Sequence, residues 1–129
     1  MKKYRFIVEK TKTGYSAYAE DFEESPVSTT AGTTDELRIN ILDALNTWLE
    51  FEQMAEANAN QILTKIDLPQ FFDYYKEINV KALSKRIGMN ETLLSQYVNG
   101  KKEPSEKQLA RILKGVKELG NELREIEFV

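Results

Sequence analysis

The chain has 129 residues and 14.9 kDa, room for one ordinary domain or two small ones. Its 18 Lys and Arg against 21 Asp and Glu leave a net charge of −3, without the one-sign excess of an acidic tail or a basic packaging protein. Histidine and cysteine are both absent, which excludes Ser-His-Asp and Cys-His nucleophile systems, zinc sites of Cys/His type, disulfides and haem attachment.

The longest stretch without a charged residue, ten residues from Ser25 to Thr34, falls far short of the roughly 20 apolar residues that a bilayer-spanning helix needs. At the N-terminus, Lys2 and Lys3 precede an apolar run that stops at Val8, so no signal-peptide core follows. The expectation is a cytoplasmic protein with no membrane segment.

In chain order, Tyr4 to Val8 and Gly14 to Ala19 are short aromatic and β-branched runs joined by Lys10-Thr11-Lys12-Thr13, the pattern of a β-hairpin. A third strand fits Val27 to Thr30. Thr33 and Glu36 form a capping box before a helix that runs to about Met54. Leu37, Ile41, Ala44, Leu45, Trp48 and Leu49 give this helix one buried stripe, widened by Leu42 and Phe51. Gln61 to Leu68 alternates apolar and polar residues, as a fourth strand does. The expected layer is a βββαβ unit, one helix over an antiparallel sheet, in an α+β chain.

From Pro69 the pattern becomes helical and broken by turns, which places the domain boundary between 1–68 and 69–129. Pro69 to Lys76 reads as a short helix with proline in its first turn. Asn79 can cap the next, which Gly88 ends. Glu91 to Val98 is a third helix, closed by Asn99-Gly100. Ser105 and Gln108 cap a fourth, with Leu109, Ile112, Leu113 and Val116 as its apolar face. The tail from residue 119 to 129 fits a helix or, at Ile126 to Phe128, a strand.

The pair of helices around Gly88 has the features of a helix-turn-helix: a three- to four-residue turn, the small residue Ser84 at the crossing, and Leu83, Ile87, Met89, Leu94 and Tyr97 or Val98 directed inward. The run from Leu83 to Lys102 resembles the Xre/Cro-type helix-turn-helix of phage-like repressors, with Ser84 where that family usually has alanine. The resemblance implies that Glu91 to Val98 enters the major groove of double-stranded operator DNA. Glu91, Thr92 and Gln96 match base-reading positions, with Ser95 beside them. Asn99, Lys101 and Lys102 match phosphate-contacting positions, and Lys85 and Arg86 on the preceding helix are further candidates.

The N-terminal part is similar to the HicB antitoxin family: a strand pair with Gly14-Tyr15 opening the second strand, a third strand, then Gly32 to Glu36 before a helix. The passage from Leu68 to Lys76 into the Xre-like part resembles HicB members in which both domains are fused. The loop from Asp21 to Pro26 lacks the glycine that the family commonly has there. The resemblance implies a partial RNase H-like toxin-binding domain, a small basic HicA-like mRNA-cleaving toxin as partner, repression of the chain's own operon, and a homodimer or tetramer. No pattern marks the toxin-contacting residues.

Charge supports that division. Residues 1–68 hold 7 Lys and Arg against 12 Asp and Glu, net −5, and residues 79–117 hold 9 against 3, net +6. An acidic domain suits a basic protein, and a basic module suits phosphate. Catalysis by an RNase H-like unit needs several carboxylates converging on two cations. Glu9, Glu20, Asp21, Glu23, Glu24 and Asp43 are available, but most lie in one loop, so a binder without catalytic, cofactor or metal residues is expected. The alternative from another class is a phage-type transcriptional repressor whose N-terminal domain dimerises or senses a ligand.

Overall fold

A computed structural model describes residues 1–129, with four strands and five α-helices in two compact units, residues 1–74 and 75–129. The fold class is mixed α+β. No helix is long and apolar enough to cross a membrane.

In the first unit, β1 (Tyr4–Thr11), β2 (Gly14–Ala19), β3 (Ser28–Ala31) and β4 (Ile62–Ile66) form one sheet in the order β3-β2-β1-β4. β1 and β2 pair antiparallel with Phe6 opposite Ala19 and Val8 opposite Ala17, so the apolar residues of both strands share one face. The helix α1 (Thr34–Phe51) covers that face, and Phe6, Ala17, Ala19, Val27, Leu37, Ile41, Leu45 and Leu49 form the core beneath it. The Thr33 hydroxyl accepts from the Glu36 amide at 3.2 Å, starting α1 where the sequence places its cap.

β4 runs parallel to β1, with Tyr4 opposite Ile62 and Val8 opposite Ile66, which corrects the expectation of a purely antiparallel sheet. Direction explains it. β3 is antiparallel to β2 and therefore points the same way as β1; α1 carries the chain back, so the next strand must point along β1 again. Phe51 is a second correction. It is 78% exposed at the end of α1 and stacks on Trp48 at 6.0 Å, because two residues beyond the buried Leu49 place it about 200° round the helix, away from the sheet.

The expected fourth strand stops at Ile66. Leu68 instead opens α2 (Leu68–Tyr74), which packs on β1 within the first unit. The two compact units divide between Tyr74 and Tyr75. Asp67 fixes this helix start, its carboxylate accepting from the Gln70 amide at 3.1 Å.

The second unit contains α3 (Val80–Ile87), α4 (Glu91–Val98) and α5 (Glu106–Glu125). α5 settles most of the tail as helix. Its start is capped by the Ser105 hydroxyl, which accepts from the Gln108 amide at 3.2 Å, and the chain beyond Glu125 is neither helix nor strand.

Candidate nucleic-acid interface

Each helix around Gly88 is built by its own cap. The Asn79 side-chain oxygen accepts from the Ala82 amide at 2.9 Å, and that of Asn90 accepts from the Leu93 amide at 3.1 Å. Between them Gly88 takes the left-handed conformation, φ 66° and ψ 31°, which a side chain would disfavour. The Met89 amide then reaches the Ser84 carbonyl at 2.9 Å and the Gly88 amide the Lys85 carbonyl at 3.3 Å, a Schellman arrangement. Met89, Leu83, Leu94 and Tyr97 are buried between the helices. Ser84 is buried as well, and its hydroxyl donates to the Lys81 carbonyl at 2.6 Å, so no polar atom is left unpaired where the helices meet.

Two residues that hold this turn were not anticipated from sequence. Arg111 on α5 donates through one guanidinium nitrogen to the Ile87 carbonyl at 2.9 Å and the Gly88 carbonyl at 2.7 Å, satisfying groups that the end of α3 leaves free. Gly115, also on α5, lies where an added Cβ would sit 2.2 Å from Ile87 Cγ2, so α3 and α5 approach through a missing side chain. A glycine inside an amphipathic helix costs about 1 kcal/mol relative to alanine, a signal that something packs against it. Nothing in the sequence marks Arg111.

With Leu94 and Tyr97 turned inward, the 3.6-residue period leaves Glu91, Thr92, Ser95, Gln96 and Asn99 along the other side of α4. Glu91, Thr92 and Asn99 are exposed, and Ser95 and Gln96 half-buried. The Asn99 amide donates to the Ser95 hydroxyl at 3.2 Å, tying together two residues one turn apart. Gly100 turns the chain at φ 76°, and the amides of Lys101 and Lys102 both reach back to the Gln96 carbonyl, at 2.9 and 3.2 Å. The fold therefore keeps both exposed lysines at the C-terminal end of the polar row.

Lys85 is exposed on α3. Arg86 is committed elsewhere. Its guanidinium makes two hydrogen bonds to the Glu122 carboxylate on α5, one of them at 3.3 Å. That hydrogen bonding, and then the carboxylate's charge, hold the Arg86 proton more firmly than in a free arginine. Of the nine residues expected to meet DNA, Arg86 is the one whose charge the chain itself already pairs.

Chemically, this surface offers an amide with two donors and an acceptor at Gln96, hydroxyls at Thr92 and Ser95, a carboxylate at the helix start and paired ammonium groups beyond its end. Glutamine pairs bidentately with adenine, threonine offers its methyl to thymine or its hydroxyl to either base, and lysine meets phosphate. Glu91 lies in the first turn of α4, where a carboxylate interacts favourably with the helix dipole.

The first unit has features of its own. A cavity of about 340 Å³ is lined by Phe6, Leu45, Trp48 and Leu49, with Lys2 and Lys3 also at its wall. Tyr18 keeps its phenol proton above the ordinary value of 10.0, first because burial disfavours the phenolate and then because Glu9 and Asp67 repel it. No group of three or more Asp and Glu residues gathers as a metal site would require. No protein-family profile, curated protein or solved structure matches this chain.

Proposed function

We propose that the chain is a HicB-type antitoxin of a type II toxin–antitoxin system. Its first unit is a partial RNase H-like domain that binds a small basic HicA-like mRNA-cleaving toxin. Its second unit is an Xre/Cro-type helix-turn-helix that binds operator double-stranded DNA and represses the operon, all in the cytoplasm. The chain is a binder and not an enzyme.

The observation that carries this reading is the α3–α4 pair. A left-handed Gly88 and two asparagine caps present a polar row from Glu91 to Asn99, and the loop carrying Lys101 and Lys102 folds back on Gln96. Charge supports the division of roles: residues 1–74 hold 7 Lys and Arg against 13 Asp and Glu, and residues 75–129 hold 11 against 8.

The test is co-expression of the intact chain with the product of an adjacent reading frame that encodes a small basic protein. The reading expects growth arrest by that protein alone and recovery when the chain is present. Arrest that persists would remove the antitoxin role while leaving DNA binding open.

One observation favours a second reading, a phage-type repressor with a ligand-sensing N-terminal domain. A half-open cleft of about 340 Å³ in the first unit has Trp48 in its wall, where a small molecule would meet it. A small molecule that shifts operator affinity, together with Trp48 fluorescence, selects this reading.

A further inference from the structure

Of the eight asparagines in the chain, Asn99 alone is followed by glycine. Asn79 and Asn90 cap helices through their side-chain oxygens, and Asn46 is held by both backbone groups of Ala57. Asn99 is exposed at the end of α4, and its side chain makes one hydrogen bond, to the Ser95 hydroxyl at 3.2 Å. Gly100 is exposed beside it and carries no Cβ to block an approach to its backbone nitrogen. The ammonium groups of Lys101 and Lys102 follow directly, and positive charge nearby favours the deprotonated form of the Gly100 amide.

We propose that Asn99–Gly100 is a self-modification site, at which the chain deamidates within its own DNA-facing surface. The Gly100 nitrogen gives up its proton to hydroxide and attacks Asn99 Cγ. A bond forms between that nitrogen and Cγ, the Cγ–Nδ2 bond breaks, and Nδ2 leaves as ammonia after taking a proton from water. The product is a cyclic succinimide. Water then opens the ring at either carbonyl, giving aspartate or isoaspartate, so that overall one water is consumed and one ammonia released.

The fold sets the rate. Asn99 has φ −87° and ψ −1°, and the Gly100 amide donates to the Tyr97 carbonyl at 3.2 Å, so the attack needs the last turn of α4 to open. Helix ends fray, and this bond is at the long end of the hydrogen-bond range. Duplex DNA held against the loop opposes the opening and slows the reaction. Either product alters the surface. Aspartate puts a negative charge immediately before Lys101 and Lys102. Isoaspartate adds a carbon to the main chain and shifts the two lysine amides from the Gln96 carbonyl, which they reach at 2.9 and 3.2 Å. The effect on DNA rests on the reading of α4 as a DNA-facing helix, whereas the site itself does not.

Incubation of the intact chain in warm, mildly alkaline buffer, followed by peptide mapping with mass spectrometry, tests it. Asn99 is expected to deamidate before any other asparagine, to give two products of equal mass, and to react faster as pH rises. Asn99→Gln should remove both products, because its longer side chain closes the ring far more slowly. Saturating duplex DNA from upstream of the reading frame should slow the reaction several-fold. Asn99→Asp, checked for its fold by far-UV circular dichroism, should bind that duplex roughly tenfold more weakly at the same salt. Reaction first at another asparagine, or at Asn99 no faster than at Asn121, which precedes a glutamate, overturns the site. A lone aspartate product overturns the cyclic route. Reaction that bound DNA does not slow, or Asn99→Asp that binds like the wild type, overturns the link to DNA binding. A wild-type chain that binds no duplex overturns that link together with the DNA reading, and the mass measurement still decides the site.

Discussion

Arg111 donates to the carbonyl oxygen of Gly88 at 2.7 Å, so a side chain on α5 closes the turn that joins α3 to α4. Without it, two carbonyls at the end of α3 lose a charged donor. Arg111→Met keeps the aliphatic stem and removes the donor, and is expected to cost about 1–3 kcal/mol in denaturant unfolding. DNA affinity should fall with it, because α4 loses its fixed orientation. A variant as stable as the wild type would mean that the turn does not depend on this contact.

The same elements make a second prediction by packing alone. Gly115→Ala introduces a Cβ 2.2 Å from Ile87 Cγ2, and the overpacking is expected to cost about 1–3 kcal/mol. Gly120→Ala has open space and should instead stabilise the isolated chain by up to about 1 kcal/mol through helix propensity. Thermal melts of the two variants should therefore move in opposite directions.

In the first unit, the Gln70 side chain stands in for a strand. Its oxygen accepts from the Lys10 amide at 2.9 Å and its nitrogen donates to the Lys10 carbonyl at 2.8 Å, continuing the ladder of β1 beyond the last residue of β4. Gln70→Ala leaves both partly buried backbone groups without their partner and should destabilise by about 1–3 kcal/mol. Hydrogen exchange at the Lys10 amide is the local readout, expected to accelerate more than exchange at Phe6 in the core.

Tyr18 gives a pH prediction. Its phenol is held above 10.0 in the fold, so the unfolded chain loses this proton first as pH rises. The native state then binds more protons than the unfolded one, and stability falls with pH from 10.0 up to the raised value. Tyr18→Phe removes this contribution. The difference between wild-type and variant unfolding free energies should be flat below that window and change within it, with the variant losing less.

The helix ends were largely legible. Thr33, Asn79, Ser105 and Gly88 each have local chemistry that acts within a few residues, and all four end or begin helices as their sequence neighbours imply. What was not legible depends on distant partners. The parallel placement of β4 follows from the direction of α1, not from any residue in Ile62–Ile66. Arg86 resembled a phosphate contact because Glu122, its partner, lies 36 residues away. Nothing in the sequence marks Asn46, whose amide pairs with both backbone groups of Ala57 at 2.8 and 3.0 Å, or Gln70, since a side-chain amide that imitates backbone leaves no periodic signal.

If the row on α4 reads DNA sequence, the chain prefers its own operator over other duplex DNA. Fluorescence anisotropy with the intact chain, using duplex from immediately upstream of its own reading frame and a scrambled duplex at the same salt, measures this directly. A preference of about a thousandfold or more for the upstream duplex is expected. Gln96→Ala should reduce binding to that duplex by about 1–3 kcal/mol and leave the scrambled one unchanged. Lys101→Ala should weaken both and flatten their salt dependence. Equal affinity for the two duplexes, or equal loss on both with Gln96→Ala, would contradict it.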